Sequence, residues 1–362
     1  MRAYRLLNKQ NDTSTVPVDL IRVVAIISVI LIHVTNLLDN PIGGSSTLRW
    51  WTIDIYQSLG RLGVPLFLML TGILLLTPSK KDENITTFFK KRFTRIGLPF
   101  IFWSIVYFLW AYYAENQALT QDFIINGIFR GPYVSFWYIY MLLGLYFLTP
   151  LLRVMVTQFT DKHYKYFLCL WFSGFLLTPL IDIVSNGPNL VSECFFMIPL
   201  YVGYFVIGNY LTNVQIQRRT LTVLTILGIA LTAIGTSIMS IFFEGGAIYF
   251  YHEYSSPTII LASLSLFLLL LSYKPKNNLQ TQKPLWKQRL MHIISENTLA
   301  IYFLHIIVIY VLKNCVFFGF ALTGNAINSI INIPLITALT IGICLIIIIP
   351  LKKIPGLKKL IG

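Results

Sequence analysis

Two ionisable residues near the start of the chain have a spacing that could support chemistry inside a membrane. Arg22 and His33 both lie in the apolar run 18–38 and are eleven residues apart. On an α-helix they would project from nearly the same face and lie about 16 Å apart along the axis. An arginine and a histidine on one face of a spanning helix are energetically costly and usually mark a functional site. Asp19 is predicted to pair with Arg22 on the helix surface. The alternative is structural: the pair anchors the helix at the interface and His33 packs against a neighbour.

Composition places this helix in a polytopic membrane protein. Of the 362 residues, 56% are hydrophobic and 12% are charged, whereas soluble domains have about 25% charged residues. Apolar runs of about twenty residues recur along the whole chain, which predicts an all-α protein with about ten transmembrane helices. The predicted spans are 18–38, 56–77, 96–114, 134–152, 165–184, 194–212, 221–243, 256–273, 293–313 and 329–351.

The distribution of basic residues predicts the orientation. The net charge of +14 does not indicate nucleic-acid binding, because the basic residues lie in short loops between the spans. If the N-terminus is cytoplasmic, the outer loops contain only Arg49, Arg130 and Lys313. This asymmetry follows the positive-inside rule and predicts that both termini are cytoplasmic. The predicted organisation is a cytoplasmic tail at 1–17, a ten-helix transmembrane domain at 18–351 and a basic cytoplasmic tail at 352–362.

Three further arginines are candidates for the same site. Arg92 and Arg95, in the segment KKRFTRIGLPF, are spaced i, i+3 at the cytoplasmic edge of the third span. They could bind phosphate through their planar guanidinium groups, or act only as positive-inside signals. Arg61, at the outer end of the second span, could bind a ligand or extend to the lipid headgroups.

Aromatic and histidine side chains provide the remaining candidates. Trp137 and Tyr138, at the outer start of the fourth span, could face a sugar or belong to an interfacial aromatic belt. Tyr302 and His305 lie one turn apart in the ninth span, where His305 could equally be a hydrogen-bonded packing residue. His252 and Glu253, in a predicted outer loop, are expected to be solvated. The four cysteines are scattered without metal-ligand spacing, so no metal site is predicted.

These residues resemble the acyltransferase family 3 membrane proteins, which O-acylate cell-surface sugars and lipids. The family hallmark is an arginine and a histidine separated by ten residues in the first span, as in Arg22 and His33. Five further segments resemble family motifs in the expected order: GVPLFLMLTGILLL after Arg61, the Arg-x-x-Arg of Arg92 to Arg95, WYIYMLLGLYFLTP from Trp137, YVGYFVIGNYL from Tyr201, and the Ser-x-x-Thr-Leu and Tyr-x-x-His pattern from Ser295 to His305.

The resemblance implies an acyl-CoA donor, most often acetyl-CoA, taken from the cytoplasm, with no permanently bound cofactor. The implied acceptor is a hydroxyl of a cell-surface or lipid-linked glycan at the outer face of a bacterial-type cytoplasmic membrane. The expected partners are therefore acyl-CoA, the glycan and membrane lipids, but not nucleic acid. The motifs do not distinguish an acetyl from a succinyl group, nor direct transfer from a covalent relay, and they do not indicate the oligomeric state.

Each candidate residue then has an expected role. His33 would act as the base for the acceptor hydroxyl, because histidine titrates near neutral pH. Arg22, held by Asp19, would steer the donor or stabilise the developing negative charge. Arg92 and Arg95 would bind the CoA phosphates. The predicted acceptor-binding residues are Arg61, Trp137, Tyr138, Tyr302 and His305.

Two other classes of protein would also account for polar residues in the spans. A secondary transporter or flippase for a sugar-lipid or charged substrate would use intramembrane arginine and histidine. However, no pair of matched, interrupted helices appears in the two halves of the chain. The other class is a membrane sensor that binds a ligand without chemistry.

Overall fold

The structure is a computed structural model that describes residues 16–37, 47–77, 83–184, 200–242, 250–273, 286–314 and 329–362. Within these ranges the regular structure is entirely helical, which confirms the all-α prediction. The predicted N-terminal tail up to residue 15 and the start of the span predicted at 194 lie outside the described residues.

Where the described residues run directly from one helix to the next, the connections are short. A π-helix (Phe93–Gly97) and a 3₁₀-helix (Val134–Phe136) lie among the α-helices. In chain order the α-helices are α1 (Val16–Leu37), α2 (Leu48–Gly60), α3 (Gly63–Leu75), α4 (Ile85–Arg92), α5 (Leu98–Ala114), α6 (Gln121–Arg130), α7 (Trp137–Gln158), α8 (Asp161–Val184), α9 (Leu200–Leu211), α10 (Arg218–Phe242), α11 (Pro257–Leu271), α12 (Trp286–Glu296), α13 (Thr298–Asn314), α14 (Ser329–Leu351) and α15 (Leu357–Ile361).

Seven helical segments of the described chain are long and apolar enough to cross a membrane. The pair α12 and α13, bent by 78°, would bring the number to eight. These eight overlap eight of the predicted spans, and the remaining two predicted spans overlap α8 and α9. The protein is therefore a multi-pass membrane protein, while the total of ten spans and the cytoplasmic placement of the termini stay predictions.

The second span begins earlier than the predicted residue 56. Its helix starts at Leu48, where the hydroxyl of Thr47 accepts a hydrogen bond from the backbone N–H of Trp50 at 3.3 Å. Such an N-cap satisfies a backbone donor that the first turn leaves unpaired. Arg61 consequently lies at the break between α2 and α3, within the segment Leu48–Leu75, and not at the outer end of the span.

The first helix lies at the centre of the fold. It packs against α2, α3, α11, α12, α13 and α14. Its side chains Ile21, Ala25, Ile30 and Val34 are fully buried. Most of the circumference of this helix is apolar, which suits it to such a position. The face that carries Arg22 and His33 is therefore surrounded by other helices.

Two glycines let α3 and α9 approach each other closely. A Cβ atom added at Gly72 would lie 1.8 Å from the carbonyl oxygen of Phe205, and one added at Gly208 would lie 2.2 Å from that of Met69. Small residues at helix contacts are a common basis of membrane-helix packing. The second and sixth predicted spans are thus joined backbone to backbone.

We expect Gly72→Ala to destabilise the protein by about 1–3 kcal/mol, because the methyl group would overlap a backbone carbonyl that cannot rotate away. The measurement is the thermal unfolding midpoint of the detergent-purified protein. Gly144→Ala is the matched control, since a Cβ there meets nothing within 4 Å. Equal midpoints for the two variants would contradict the close contact of α3 and α9.

Candidate active site

The N-terminal end of α1 carries a buried carboxylate with two partners from α12. The hydroxyl of Ser295 donates a hydrogen bond to Oδ1 of Asp19 at 2.6 Å, and Nδ1 of His292 lies 3.0 Å from Oδ2. Arg22 Nη1 in turn donates to Ser295 Oγ at 3.4 Å. The predicted direct ion pair of Asp19 and Arg22 is not formed among the described residues, because the α12 side chains occupy the carboxylate. Ser295 links the two residues instead.

Arg22 has a like-charged neighbour at this end of α1. Arg95 is close enough for its charge to repel that of Arg22. Arg92 and Arg95 both act electrostatically on Tyr146, and the Arg92 guanidinium carbon lies 5.9 Å from the centre of that ring. Like charges repel, so a group of guanidinium ions with few carboxylates is stabilised by a bound anion.

The backbone between these arginines is not a regular α-helix. Arg92 ends α4, and Arg95 lies in the π-helix Phe93–Gly97. Single π-turns within helices often occur at functional sites. The wider turn alters the i, i+3 geometry expected for the pair, and it leaves Arg95 exposed while Arg92 is partly buried.

A fourth arginine, Arg153, packs beside the residues that contact Arg92. Arg153 is buried, with Nε donating to the carbonyl oxygen of Leu75 at 2.6 Å and Nη1 donating to Glu83 at 3.0 Å. Its guanidinium carbon lies 4.7 Å from the ring centre of Phe88, whose ring also contacts Arg92. Arg153 therefore holds the residues that position Arg92, a role not anticipated for a loop cation.

The charge of Glu83 is maintained by its neighbours. Burial acts to raise the pKa of the Glu83 carboxyl, but hydrogen bonds and charge from Lys91 and Arg153 lower it below its usual value. The carboxylate thus stays ionised at neutral pH and keeps Arg153 paired.

The other end of the same face of α1 places His33 against His305 of α13. The ring centroids are 5.0 Å apart. Nδ1 of His305 lies 2.5 Å from the carbonyl oxygen of Tyr302, and since a carbonyl only accepts, this nitrogen carries the proton. In the neutral ring Nε2 is then an acceptor, and it is buried with no hydrogen-bond partner among the described residues. A buried acceptor without a partner is a suitable contact for a ligand hydroxyl.

Aromatic rings continue from the histidine pair. Tyr302 lies 5.7 Å from His305 and 5.5 Å from Tyr138 between ring centroids. Its hydroxyl donates to the carbonyl oxygen of Ser135. Trp137 lies 5.8 Å from Tyr254. We call the set Trp137, Tyr138, Tyr254, Tyr302 and His305 the aromatic wall.

Arg61 lies beside the aromatic wall, on the side near His33. Its guanidinium carbon lies 5.5 Å from the ring centre of Tyr254, and its charge reaches His33. Gly63 allows this approach, because a Cβ there would lie 2.7 Å from the carbonyl oxygen of Ala25 on α1. The alternative in which Arg61 only extends to the lipid headgroups does not account for its contact with Tyr254.

Comparison with known proteins identifies the family. The model of the acyltransferase domain, acyltransferase family 3, matches residues 17–349. The chain belongs to acyltransferase family 3. It is 27% identical over 120 residues, 32% of its length, to the succinoglycan biosynthesis protein ExoH of Rhizobium meliloti (strain 1021). That match spans 32% of the relative's length, and no solved structure matches the chain.

In this member of acyltransferase family 3, the predicted site residues form two groups along α1. Asp19 and Arg22 lie at its N-terminal end, where Arg95 acts on Arg22 and Arg92 shares Tyr146 with Arg95, and His33 with Arg61 and the aromatic wall lies toward the other. The first group is basic, while the second offers hydrogen-bond acceptors and ring faces. The two ends of α1 thus differ in charge and in the side chains that they present.

Some contacts of this acyltransferase-family site are missing from the predicted set. His292 and Ser295 are spaced i, i+3 on α12, and that spacing was the available signal for a shared partner. Tyr254 could not be connected to Trp137 from the sequence, because the two residues are far apart in the chain. His252 is fully buried, so the expectation that it is solvated is wrong, whereas Glu253 is exposed as expected.

Proposed function

We propose that this protein moves an acyl group, with acetyl as the first candidate, from cytoplasmic acyl-CoA to a hydroxyl of a cell-surface or lipid-linked glycan at the outer face. Family membership supports acyl transfer as the reaction class. The observation that carries the rest is the arrangement of Arg22 and His33 on one central helix, with a basic cluster at one end and an aromatic wall at the other.

The donor would bind at Arg22, Arg92 and Arg95. CoA presents several phosphate groups, which guanidinium groups bind through paired, charge-assisted hydrogen bonds. Arg95 is exposed and Arg92 partly buried, so the nucleotide end of CoA would remain near the cytoplasmic surface. The loop charges support a cytoplasmic position for this end of α1.

The acceptor would bind at the aromatic wall. Aromatic rings suit the apolar faces of sugars, and the free Nε2 of His305 offers an acceptor for one sugar hydroxyl. Arg61 would bind an anionic or hydroxylated substituent beside Tyr254. The name of ExoH associates that relative with the biosynthesis of a polysaccharide, which supports a glycan as the acceptor class.

The chemistry would proceed between the two groups. His33 accepts the proton of the acceptor hydroxyl as its oxygen attacks the thioester carbonyl. The carbon–oxygen bond forms, the carbon–sulfur bond breaks, and the proton passes to the departing thiolate of CoA. Arg22 steers the pantetheine arm, because it lies too far from His33 along α1 to reach the oxyanion that forms where the hydroxyl attacks. The separation of about 16 Å between Arg22 and His33 suits an elongated thioester arm.

The test uses the full chain reconstituted in liposomes. Radiolabelled acetyl-CoA is supplied with succinoglycan oligosaccharides that mild base has freed of esters, and radiolabelled succinyl-CoA is tested in parallel. The expected result is base-labile label on the oligosaccharide. Surface glycans from cells with and without the gene provide the second measurement, because an ester changes their mass.

The result separates the competing classes. A transporter or flippase would move the oligosaccharide into the liposomes without forming an ester, and a sensor would do neither. Absence of label from both donors, together with unchanged surface glycans after deletion, would contradict the proposal.

A further inference from the structure

Two polar residues on one face of α2, and Arg61 one position beyond its last residue, lie toward the same turn. Asp54, Ser58 and Arg61 are spaced i, i+4, i+7 and so lie on one side of the helix. Opposite them lies the turn at 250–254, which carries His252 and Tyr254. None of the predicted roles includes Asp54, Ser58 or His252.

The central contact between α2 and this turn is a buried histidine–carboxylate contact. Nε2 of His252 lies 3.0 Å from Oδ1 of Asp54, and the two side chains are 0% and 4% exposed. Ser58 Oγ lies 3.5 Å from the same nitrogen. Because serine and aspartate approach one nitrogen and not opposite sides of the ring, the three do not form a nucleophilic triad. Removing one member of a buried polar pair leaves the other without its contact, which is costly, so the pair holds the turn against α2.

The turn held in this way carries a residue of the aromatic wall. Tyr254 contacts Arg61 and Trp137. Its backbone carbonyl oxygen accepts a hydrogen bond from the hydroxyl of Tyr204 at 2.8 Å. The position of the Tyr254 ring therefore depends on two tethers, one from α2 through His252 and one from α9 through Tyr204.

We propose that Asp54 and His252 are a positioning pair that places Tyr254 and Arg61 for acceptor binding. The pair is fully buried and lies within the fold, so it acts through these residues without touching the acceptor. The inference rests on the proposed function, since it assigns the pair to the acceptor and not to the donor. Its signature is a change in the acceptor KM with an unchanged acyl-CoA KM.

The test measures initial rates of reconstituted Asp54→Asn, His252→Gln and the double variant. Base-treated succinoglycan oligosaccharide and acetyl-CoA are varied separately. Each single variant is expected to raise the oligosaccharide KM about tenfold, because a buried partner is left unpaired and the turn shifts. The acetyl-CoA KM is expected to stay within about twofold, and the double variant to fall short of the product of the single effects.

Tyr56→Phe is the matched control on the same helix. Tyr56 lies on the opposite face of α2, where its hydroxyl donates to the carbonyl oxygen of Ile330 at 2.9 Å. Its loss should leave the oligosaccharide KM unchanged. If a variant of the pair does not fold, Tyr204→Phe loosens the same turn from α9 and should raise the oligosaccharide KM in the same way.

Three outcomes of this experiment decide whether Asp54 and His252 position the acceptor site. A raised oligosaccharide KM alone supports the positioning role. An unchanged oligosaccharide KM, or an equal rise for both substrates, in folded variants would overturn it and leave the proposed function intact. If the wild-type protein transfers no acyl group, the proposed function itself fails, and the acceptor role of the pair fails with it.

Discussion

Replacing His33 with alanine is expected to lower the rate of acyl transfer by about 10²–10⁴-fold, the usual contribution of a general base. The physical reason is that the acceptor hydroxyl must lose its proton as it attacks, and His33 lies at the acceptor end of α1. The measurement is the initial rate at saturating acetyl-CoA and acceptor, with variant and wild type at equal amounts of folded protein.

His163→Ala is the control for loss of a histidine. This residue is exposed at the start of α8, where its Nδ1 lies 3.1 Å from the backbone nitrogen of Thr160. It has no contact with the aromatic wall, and its removal should change the rate by less than about twofold. Wild-type turnover by folded His33→Ala would show that another group is the base, and His305 would be the next residue to test.

The second large effect concerns the donor. The double substitution Arg92→Ala and Arg95→Ala is expected to raise the acetyl-CoA KM by about 10²-fold, because charge-assisted hydrogen bonds to phosphate are lost. The acceptor KM should be little affected. Initial rates at varied acetyl-CoA concentration measure the effect.

A shortened donor makes this prediction specific. S-Acetylpantetheine lacks the phosphates of CoA, so its KM should be equal in the wild type and the double variant. The variant Lys358→Ala with Lys359→Ala removes the same charge from exposed positions, and should leave the acetyl-CoA KM within about twofold. A similar loss of affinity for both donors would contradict phosphate binding by Arg92 and Arg95.

The helical fold was largely predictable because the lipid bilayer favours helices. In a bilayer each segment must satisfy its own backbone hydrogen bonds, so long apolar runs become helices wherever they occur. The first and last residues of the helices were less predictable. The second span starts at Leu48 and not at 56, since the capping by Thr47 and the packing of its polar face were not visible in hydropathy.

The candidate site was predictable in part for a related reason. The helical repeat alone places Arg22 and His33 on one face, and the family motifs indicate which other residues matter. The partners of those residues were not predictable. Asp19 pairs with Ser295 and His292 across more than 270 positions of the chain, and no local spacing encodes such a contact.

The helical class, the shared face of Arg22 and His33, and the family could all be deduced from the amino-acid sequence. These follow from the period of the helix, the cost of exposing polar groups to lipid, and motif order. Only the tertiary structure decided that His33 meets His305, that Arg61 meets Tyr254 and that His252 is buried against Asp54. Such contacts depend on how closely separate helices approach, and that distance is set by their packed side chains and by glycines such as Gly63, which lie far from their partners in the chain.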